Sequence, residues 1–367
     1  MATTGGTALV AGASGLVGTA AVEAFLGAGY DVVAVSRRAP EVDSTRPFRH
    51  LSIDLRDGDA SRAALAGLPP AGVSHVVYTA VSEAPGLVAG WRDRERMQLN
   101  LAMLRNLLDP LYERGGLRHV SLLQGTKAYG VHLHRIPVPA RERMARDDHE
   151  NFYWLHEDYV RELAERPGGP TFTIWRPQVI VGPNHGVQLN LPPVIGAYAA
   201  ICREEGRPFA FPGGYPLVWE AVDTRLLAGA MVWAASASAA AGEPFHITNG
   251  EAFDFQTLWP ALADVLGVET GADEPCRLAT YLPERAAVWD RIVSRHGLRP
   301  LPMADLLGES HHLADLCFNF GRTKPSPPAL VSTVKLKQAG FTDVCDTEDS
   351  FRHWLQVLID RRILPPA

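Results

Sequence analysis

The sequence predicts an α/β protein, a Rossmann-like doubly wound parallel sheet with a smaller, mostly helical C-terminal part. Three observations carry that reading. β-rich runs alternate with helical stretches as far as residue 177. The runs are apolar on both faces, as strands covered by helices on each side must be. The first run breaks at glycine directly before a helix, the opening unit of the doubly wound class.

TALVAG (7–12) is the first strand, and LVGTAAVEAFLGAG (16–29) follows with apolar residues at helical spacing and glycines at its end. YDVVAVSRR (30–38), HLSIDL (50–55) and SHVVYTAV (74–81) are the next three strands, with helical segments such as SRAALAGL between them. A long helical stretch from Trp91 to Glu113 precedes the fifth strand, LRHVSLLQG (117–125), and TFTIWRP (171–177) is the sixth. Beyond residue 180 the alternation loosens into PGGYPLVW (212–219), a helix at 224–241, a strand PFHITN (244–249) and helical sequence broken by Pro325, Pro327 and Pro328. No internal repeat is evident.

The balance of 35 basic against 41 acidic residues gives a net charge of −6, without the positive excess that nucleic acid or an anionic membrane surface requires. A small-molecule ligand is expected. Cys202, Cys276, Cys317 and Cys345 are far apart, which argues against a disulfide framework or a zinc site and for a reducing, cytoplasmic setting. The N-terminal residues have no basic region or cleavage site of a secretory signal. The longest apolar stretch, 226–241, is shorter than the ~20 residues of a membrane span. His132 and His134, the run Asp147-Asp148-His149-Glu150 and the pair His311-His312 lack further ligands at metal spacing, so no metal is expected.

Gly12, Gly15 and Gly18 form GASGLVG between a strand and a helix. There the glycines permit a tight turn and close approach of a pyrophosphate, whose charge sits at the positive helix N-terminus. A dinucleotide is the expected cofactor, and residues 1–180 are its expected domain, with later elements near 218–250 joining it. Residues 181–367 then form mainly the substrate-binding part. The GxxGxxG spacing resembles that of extended short-chain dehydrogenases. Strand two ends in Ser36-Arg37-Arg38, with no acidic residue before Glu41. An acid there would bind a ribose 2′-hydroxyl, whereas arginine accommodates a 2′-phosphate, so NADP(H) is expected.

Short-chain dehydrogenases normally carry a catalytic tyrosine four residues before a lysine, on one helix face. None of the nine tyrosines has lysine at that spacing. The only lysine before Lys324 is Lys127, in QGTKAYG (124–130) at the end of strand five, where the ligand crevice of an open parallel sheet lies. Together with NFYWLHED (151–158), the SRR end of strand two and RPQVIVGP (176–183), this segment resembles the progesterone 5β-reductase and iridoid synthase family, a divergent group of extended short-chain dehydrogenases. AAICREEGRPFAFPGG and PFHITNGEAFDF also fit, which extends the resemblance to about Gly250.

The resemblance implies an NADPH-dependent reductase of α,β-unsaturated carbonyl compounds, an ene-reductase, with Tyr153 and Lys127 as its catalytic pair from separate motifs. It implies a cofactor-binding set of Gly12, Ser14, Gly15, Leu16, Val17, Ser36, Arg37, Arg38, Asp54, Leu55, Thr79, Ala80, Gln124, Lys127, Tyr153, Pro177, Val179 and Ile180. Val81, Leu133 and Asn190 correspond to its substrate-facing positions. Val81 and Leu133 stand where the family has aromatics, so a wider pocket, or one built from Trp219 and Phe318, is expected. Gly125 occupies the place of the serine or threonine that other superfamily members use, with Thr126 beside it. From the residues themselves, Phe152, Leu155, Tyr159 and Leu163 form a helical core stripe and Tyr153 lies about 100° off Phe152, at its edge. Carbonyl reduction or alcohol oxidation, and a non-enzymatic NADP(H)-binding role, remain the competing expectations. Whether the chain forms a homodimer, through the faces of the helices from Trp91 and Asn151, is left open.

Overall fold

A computed structural model describes residues 6–69, 72–84, 91 and 93–367. In chain order it contains β1 (Thr7–Ala11), α1 (Leu16–Gly27), β2 (Asp31–Ser36), β3 (Arg49–Ser52), α2 (Gly58–Ala66), β4 (His75–Tyr78), α3 (Arg94–Arg114), β5 (His119–Leu123), α4 (Phe152–Glu165), β6 (Thr171–Pro177) and β7 (Val179–Val181). There follow α5 (Pro192–Glu204), β8 (Val218–Trp219), β9 (Ala221–Asp223), α6 (Thr224–Ala234), β10 (Glu243–Ile247), β11 (Phe253–Asp254) and α7 (Phe255–Leu266). The chain ends in α8 (Leu278–Tyr281), α9 (Ala286–His296), α10 (Met303–Leu307), α11 (Ser310–Cys317), α12 (Val334–Gln338) and α13 (Thr347–Asp360).

Seven strands form one sheet in the order β10-β6-β5-β4-β1-β2-β3, every neighbouring pair parallel. The expected doubly wound sheet is therefore present. The order reverses between β1 and β4, and the carboxyl ends of strands at such a switch point open a crevice. Successive side chains of a strand face opposite sides, so β1 feeds two cores. Ala8 and Val10 pack with Val22, Phe25, Leu227 and Phe245 on the side of α1 and α6. Leu9 and Ala11 pack with Leu104, Leu107, Tyr159 and Leu163 on the side of α3 and α4. A third core around Tyr198, Trp259, Trp289 and Phe351 holds the C-terminal helices together.

Several elements are shorter than the pattern suggests, each for a local reason. β2 stops at Ser36, whose hydroxyl donates to the Arg38 carbonyl at 2.6 Å and turns the chain. α3 starts at Arg94, not Trp91, because the Asp93 carboxylate accepts from the Glu95 and Arg96 amides as a cap. α6 ends at Ala234, short of 241, and after a short 3₁₀ turn the amide of Gly242, at φ +80°, bonds Phe172 to lead the chain into β10. On α4, Leu155 is only partly buried, and Val160 joins Phe152, Tyr159 and Leu163 on the buried face.

α13 is fastened beside β9 by one carboxylate. Asp223, fully buried, accepts from Ser350 Oγ at 2.7 Å, Trp354 Nε1 at 3.0 Å and the Arg225 guanidinium at 2.7 Å. Among the described residues, no helix is long and apolar enough to cross a membrane.

Candidate active site

The crevice over the β1/β4 switch point is a cleft of about 1770 Å³ open to solvent. Its floor is the turn after β1. Gly12 adopts φ +79°, and a Cβ there would meet Thr79 Oγ1 at 2.7 Å and the Ala80 amide at 2.8 Å, so this position excludes side chains. Gly18 is excluded from substitution by contact alone, since its Cβ would stand 2.0 Å from the Gly12 carbonyl. α1 therefore seats directly on the turn. No side chain caps its start at Gly15, and Ser14, Gly15, Leu16 and Val17 line the cleft. Such a start presents free amides to an anion.

At the edge of β2, Arg37 and Arg38 also line the cleft and are exposed. Among the described residues neither is in an ion pair. Glu41 is engaged elsewhere, by Arg299 at 2.7 Å. Asp54 is held by Arg56, whose Nε lies 2.9 Å from Oδ1, and that hydrogen bond keeps its carboxyl down at about 2.

The other end of the cleft is built around Tyr153. Asn151 caps α4 by accepting from the Tyr153 amide at 3.0 Å, and its Nδ2 donates to the Lys127 carbonyl at 3.0 Å. One side chain thus joins the lysine's 3₁₀ turn, Thr126–Tyr129, to the tyrosine's helix. Nδ2 also meets His149 Nε2 at 3.1 Å, and Asp147 receives His149 Nδ1 at 2.7 Å and His134 Nε2 at 2.8 Å. These histidines brace the cap; among the described residues no group of three His, Cys, Asp or Glu side chains could hold a metal.

Trp91 stands between the two motifs. Lys127 Nζ lies 3.9 Å from the centre of its ring, while the Tyr153 ring meets it edge-on at 5.0 Å and Phe152 packs at 4.8 Å. Burial pushes the Lys127 ammonium down to about 8. Burial, and then the nearby Glu83 carboxylate, pushes the Tyr153 hydroxyl well above its usual range, so it is a neutral O–H donor. A Cβ on Gly125 would lie 3.5 Å from Tyr153 Oη, so the absence of a side chain there leaves open space beside the hydroxyl.

A buried network beneath the cleft aligns these groups. Arg176 donates from Nε to Gln124 Oε1 at 3.1 Å, from Nη1 to Tyr129 Oη at 2.9 Å and from Nη2 to Glu157 Oε2 at 2.9 Å. Gln124 Nε2 in turn donates to the Tyr153 carbonyl at 3.0 Å. Tyr129 Oη also meets His246 Nε2 of β10 at 2.7 Å.

The geometry gathers most of the residues singled out from sequence. Gly12, Ser14, Gly15, Leu16, Val17, Ser36, Arg37, Arg38, Asp54, Leu55, Thr79, Ala80, Val81, Gln124, Tyr153 and Ile180 all line the cleft, and Lys127 lines a small cavity adjoining it. Pro177 and Val179 lie behind the lining; Val179 is buried, paired with Ala221.

Three of the four expected substrate contacts are placed elsewhere. Leu133 is exposed outside the cleft. Asn190 is fully buried and spends its amide on Gly182 and Asn184, bracing the chain after β7. Trp219 donates to the Cys317 carbonyl at 2.8 Å and packs on the C-terminal core, where Phe318 is also buried against Phe255 and Trp259. Met103, Phe152, His156, Glu83 and the segment 186–189 line the cleft without having been anticipated. Only the glycine at 186, at φ +64°, marks that returning segment in the sequence.

The profile of the NAD dependent epimerase/dehydratase family matches residues 8–248. The chain is 29% identical to (S)-8-oxocitronellyl enol synthase of Antirrhinum majus, over 98% of this chain and 92% of that protein. It is likewise 29% identical to the 3-oxo-Delta(4,5)-steroid 5-beta-reductase of Arabidopsis thaliana, over 98% and 93%. UDP-glucose 4-epimerase of Thermus thermophilus, solved with NAD, shares the fold at a TM-score of 0.63 and 17% identity, over 95% of this chain and 98% of that one. The chain belongs to the NAD dependent epimerase/dehydratase family, among the iridoid synthase-like and steroid 5β-reductase relatives within it.

Proposed function

We propose that the protein is an NADPH-dependent reductase of α,β-unsaturated carbonyl compounds, with Tyr153 and Lys127 at its reacting end. The observation that carries this reading is the cleft itself. It runs from the uncapped start of α1 to a neutral, partly buried tyrosine, with a lysine held beside it through a shared tryptophan. The relatives' names, an enol synthase and a steroid 5-beta-reductase, point to the same class of substrate.

The first turn of α1 would take the pyrophosphate, and Arg37 with Arg38 the 2′-phosphate. When bound, the dihydronicotinamide supplies hydride to the substrate's β-carbon. Negative charge then develops on the carbonyl oxygen, and Tyr153 donates its O–H to that enolate. Lys127 adds positive charge in the same partly buried region. Val81, Met103, Phe152 and Leu189 give the cleft an apolar wall suited to the carbon skeleton. With glycine at 125, that position places no side chain beside the Tyr153 hydroxyl.

Purified protein given NADPH and a cyclic enone is expected to consume the enone and to leave the matching saturated ketone untouched. Consumption of the ketone alone overturns the reading in favour of 1,2-reduction. In parallel titrations NADPH is expected to bind at least about tenfold tighter than NADH, since hydrogen bonds to charged groups contribute roughly 1.5–3 kcal/mol. Changing Arg37 and Arg38 to serine is expected to abolish that difference; a preference unchanged in the double variant removes both residues from the cofactor site.

A further inference from the structure

Glu83 lies on the chain leaving β4 and reads, in sequence, as one more polar residue in a connection. The structure gives it a more specific place. It lines the main cleft with Val81, Phe152 and Tyr153, and also lines the small adjoining cavity with Lys127, Arg96 and Trp91. It thus stands on the boundary between the two spaces. Lys127 enters that cavity with its Nζ over the Trp91 ring, whose π face attracts a cation but carries no net charge.

Among the described residues, the other charged groups near this cavity do not supply a counter-ion to Lys127. Arg96, from α3, is a like charge whose nearest carboxylate is Asp93 at 3.8 Å. Tyr153, from α4, is neutral, and so is His156, whose imidazole burial pushes down to about 4 while Nε2 meets the Asn100 carbonyl at 2.9 Å. Arg176 lies beneath the cleft and is paired with Glu157. Burial disfavours the charged form of both Glu83 and Lys127, and in each the other's charge is the opposing influence.

We propose that Glu83 is a positioning residue for Lys127, its carboxylate being the counter-charge that holds the lysine as an ammonium ion over Trp91. Its consequence for turnover rests on the reading of Lys127 given above; the pairing itself does not. A neutral lysine would bring no positive charge to the developing enolate. Activity is therefore expected to fall as pH rises through about 8, where Lys127 loses its proton.

The chain has only four lysines, so protein labelled with ¹³C at lysine Cε gives four side-chain signals, and Lys127→Arg identifies that of Lys127. Glu83→Gln is expected to lower the Lys127 pKa by about one unit or more, the usual effect of losing an adjacent opposite charge. Glu83→Asp is expected to restore most of it, and the signals of Lys324, Lys335 and Lys337, with retained NADPH binding, report an intact fold. The alkaline limb of the pH profile of kcat should move down by the same amount. A Lys127 pKa unchanged in Glu83→Gln overturns the pairing. A shifted pKa with an unmoved pH profile upholds the pairing and overturns the part given to Lys127 in turnover.

Discussion

Tyr153→Phe is expected to lower kcat for enone reduction by about 100- to 1000-fold, the usual loss on removing one oxyanion donor, while NADPH affinity stays within a few-fold. The structure makes this substitution selective. Gln124 and Asn151 hold residue 153 through its backbone carbonyl and amide, so neither bond depends on the hydroxyl. The ring's contacts with Trp91 and Phe152 survive in phenylalanine. Only the O–H is lost, and Gly125 offers no neighbouring hydroxyl to replace it. Single-turnover measurements at saturating NADPH check this directly. A kcat within a few-fold of the unaltered protein would remove Tyr153 from the chemistry.

Arg176→Met is expected to be the most destabilising single change near the site, costing roughly 3–5 kcal/mol, because breaking a buried ion pair leaves an uncompensated charge. Arg176 and Glu157 are both almost fully buried, and the guanidinium serves three acceptors, one just after β5, one on the 3₁₀ turn and one on α4. Arg161, at 2.9 Å from Glu157, and Arg146, at 3.5 Å, still neutralise part of the exposed charge, which favours the lower end of that range. Urea denaturation would report the loss as a lower midpoint. Gln124 is then left without the donor that aligns it, and Tyr153 keeps only its Asn151 anchor, so kcat should fall in the fraction that remains folded. An unaltered midpoint would show that the network contributes nothing to the fold.

The parts of the site that were legible in the sequence are those set by short-range pattern. GASGLVG between a strand and a helix announces the floor of the cleft, because a turn that tight needs glycine wherever it occurs. Ser36-Arg37-Arg38 closes an apolar run that reads as a strand. Lys127 stood out as the one lysine before Lys324, and Tyr153 through the resemblance of NFYWLHED to the reductase family's motif, with its place at the edge of a helical stripe consistent with that. Glu83, Trp91 and Arg176 gave no comparable sign. Their significance lies in what faces them, and their partners are 19 to 52 residues away for Arg176 alone. Leu133, Asn190 and Trp219 lie outside the cleft lining for the same reason: sequence position does not say which way a side chain points once its segment packs.

By itself, then, the sequence determined the parallel sheet, the glycine turn under the cleft, and the two motifs that would supply a lysine and a tyrosine. Alternation and local turn chemistry act between near neighbours and leave a mark in the order of residues. Only the tertiary structure decided that Asn151 and Trp91 would bring those motifs together, that Arg176 would brace them from below, and that Glu83 and Lys127 would line one cavity. Those contacts join segments far apart in the chain, and the desolvation that shifts Lys127 and Tyr153 exists only once the segments have closed around them.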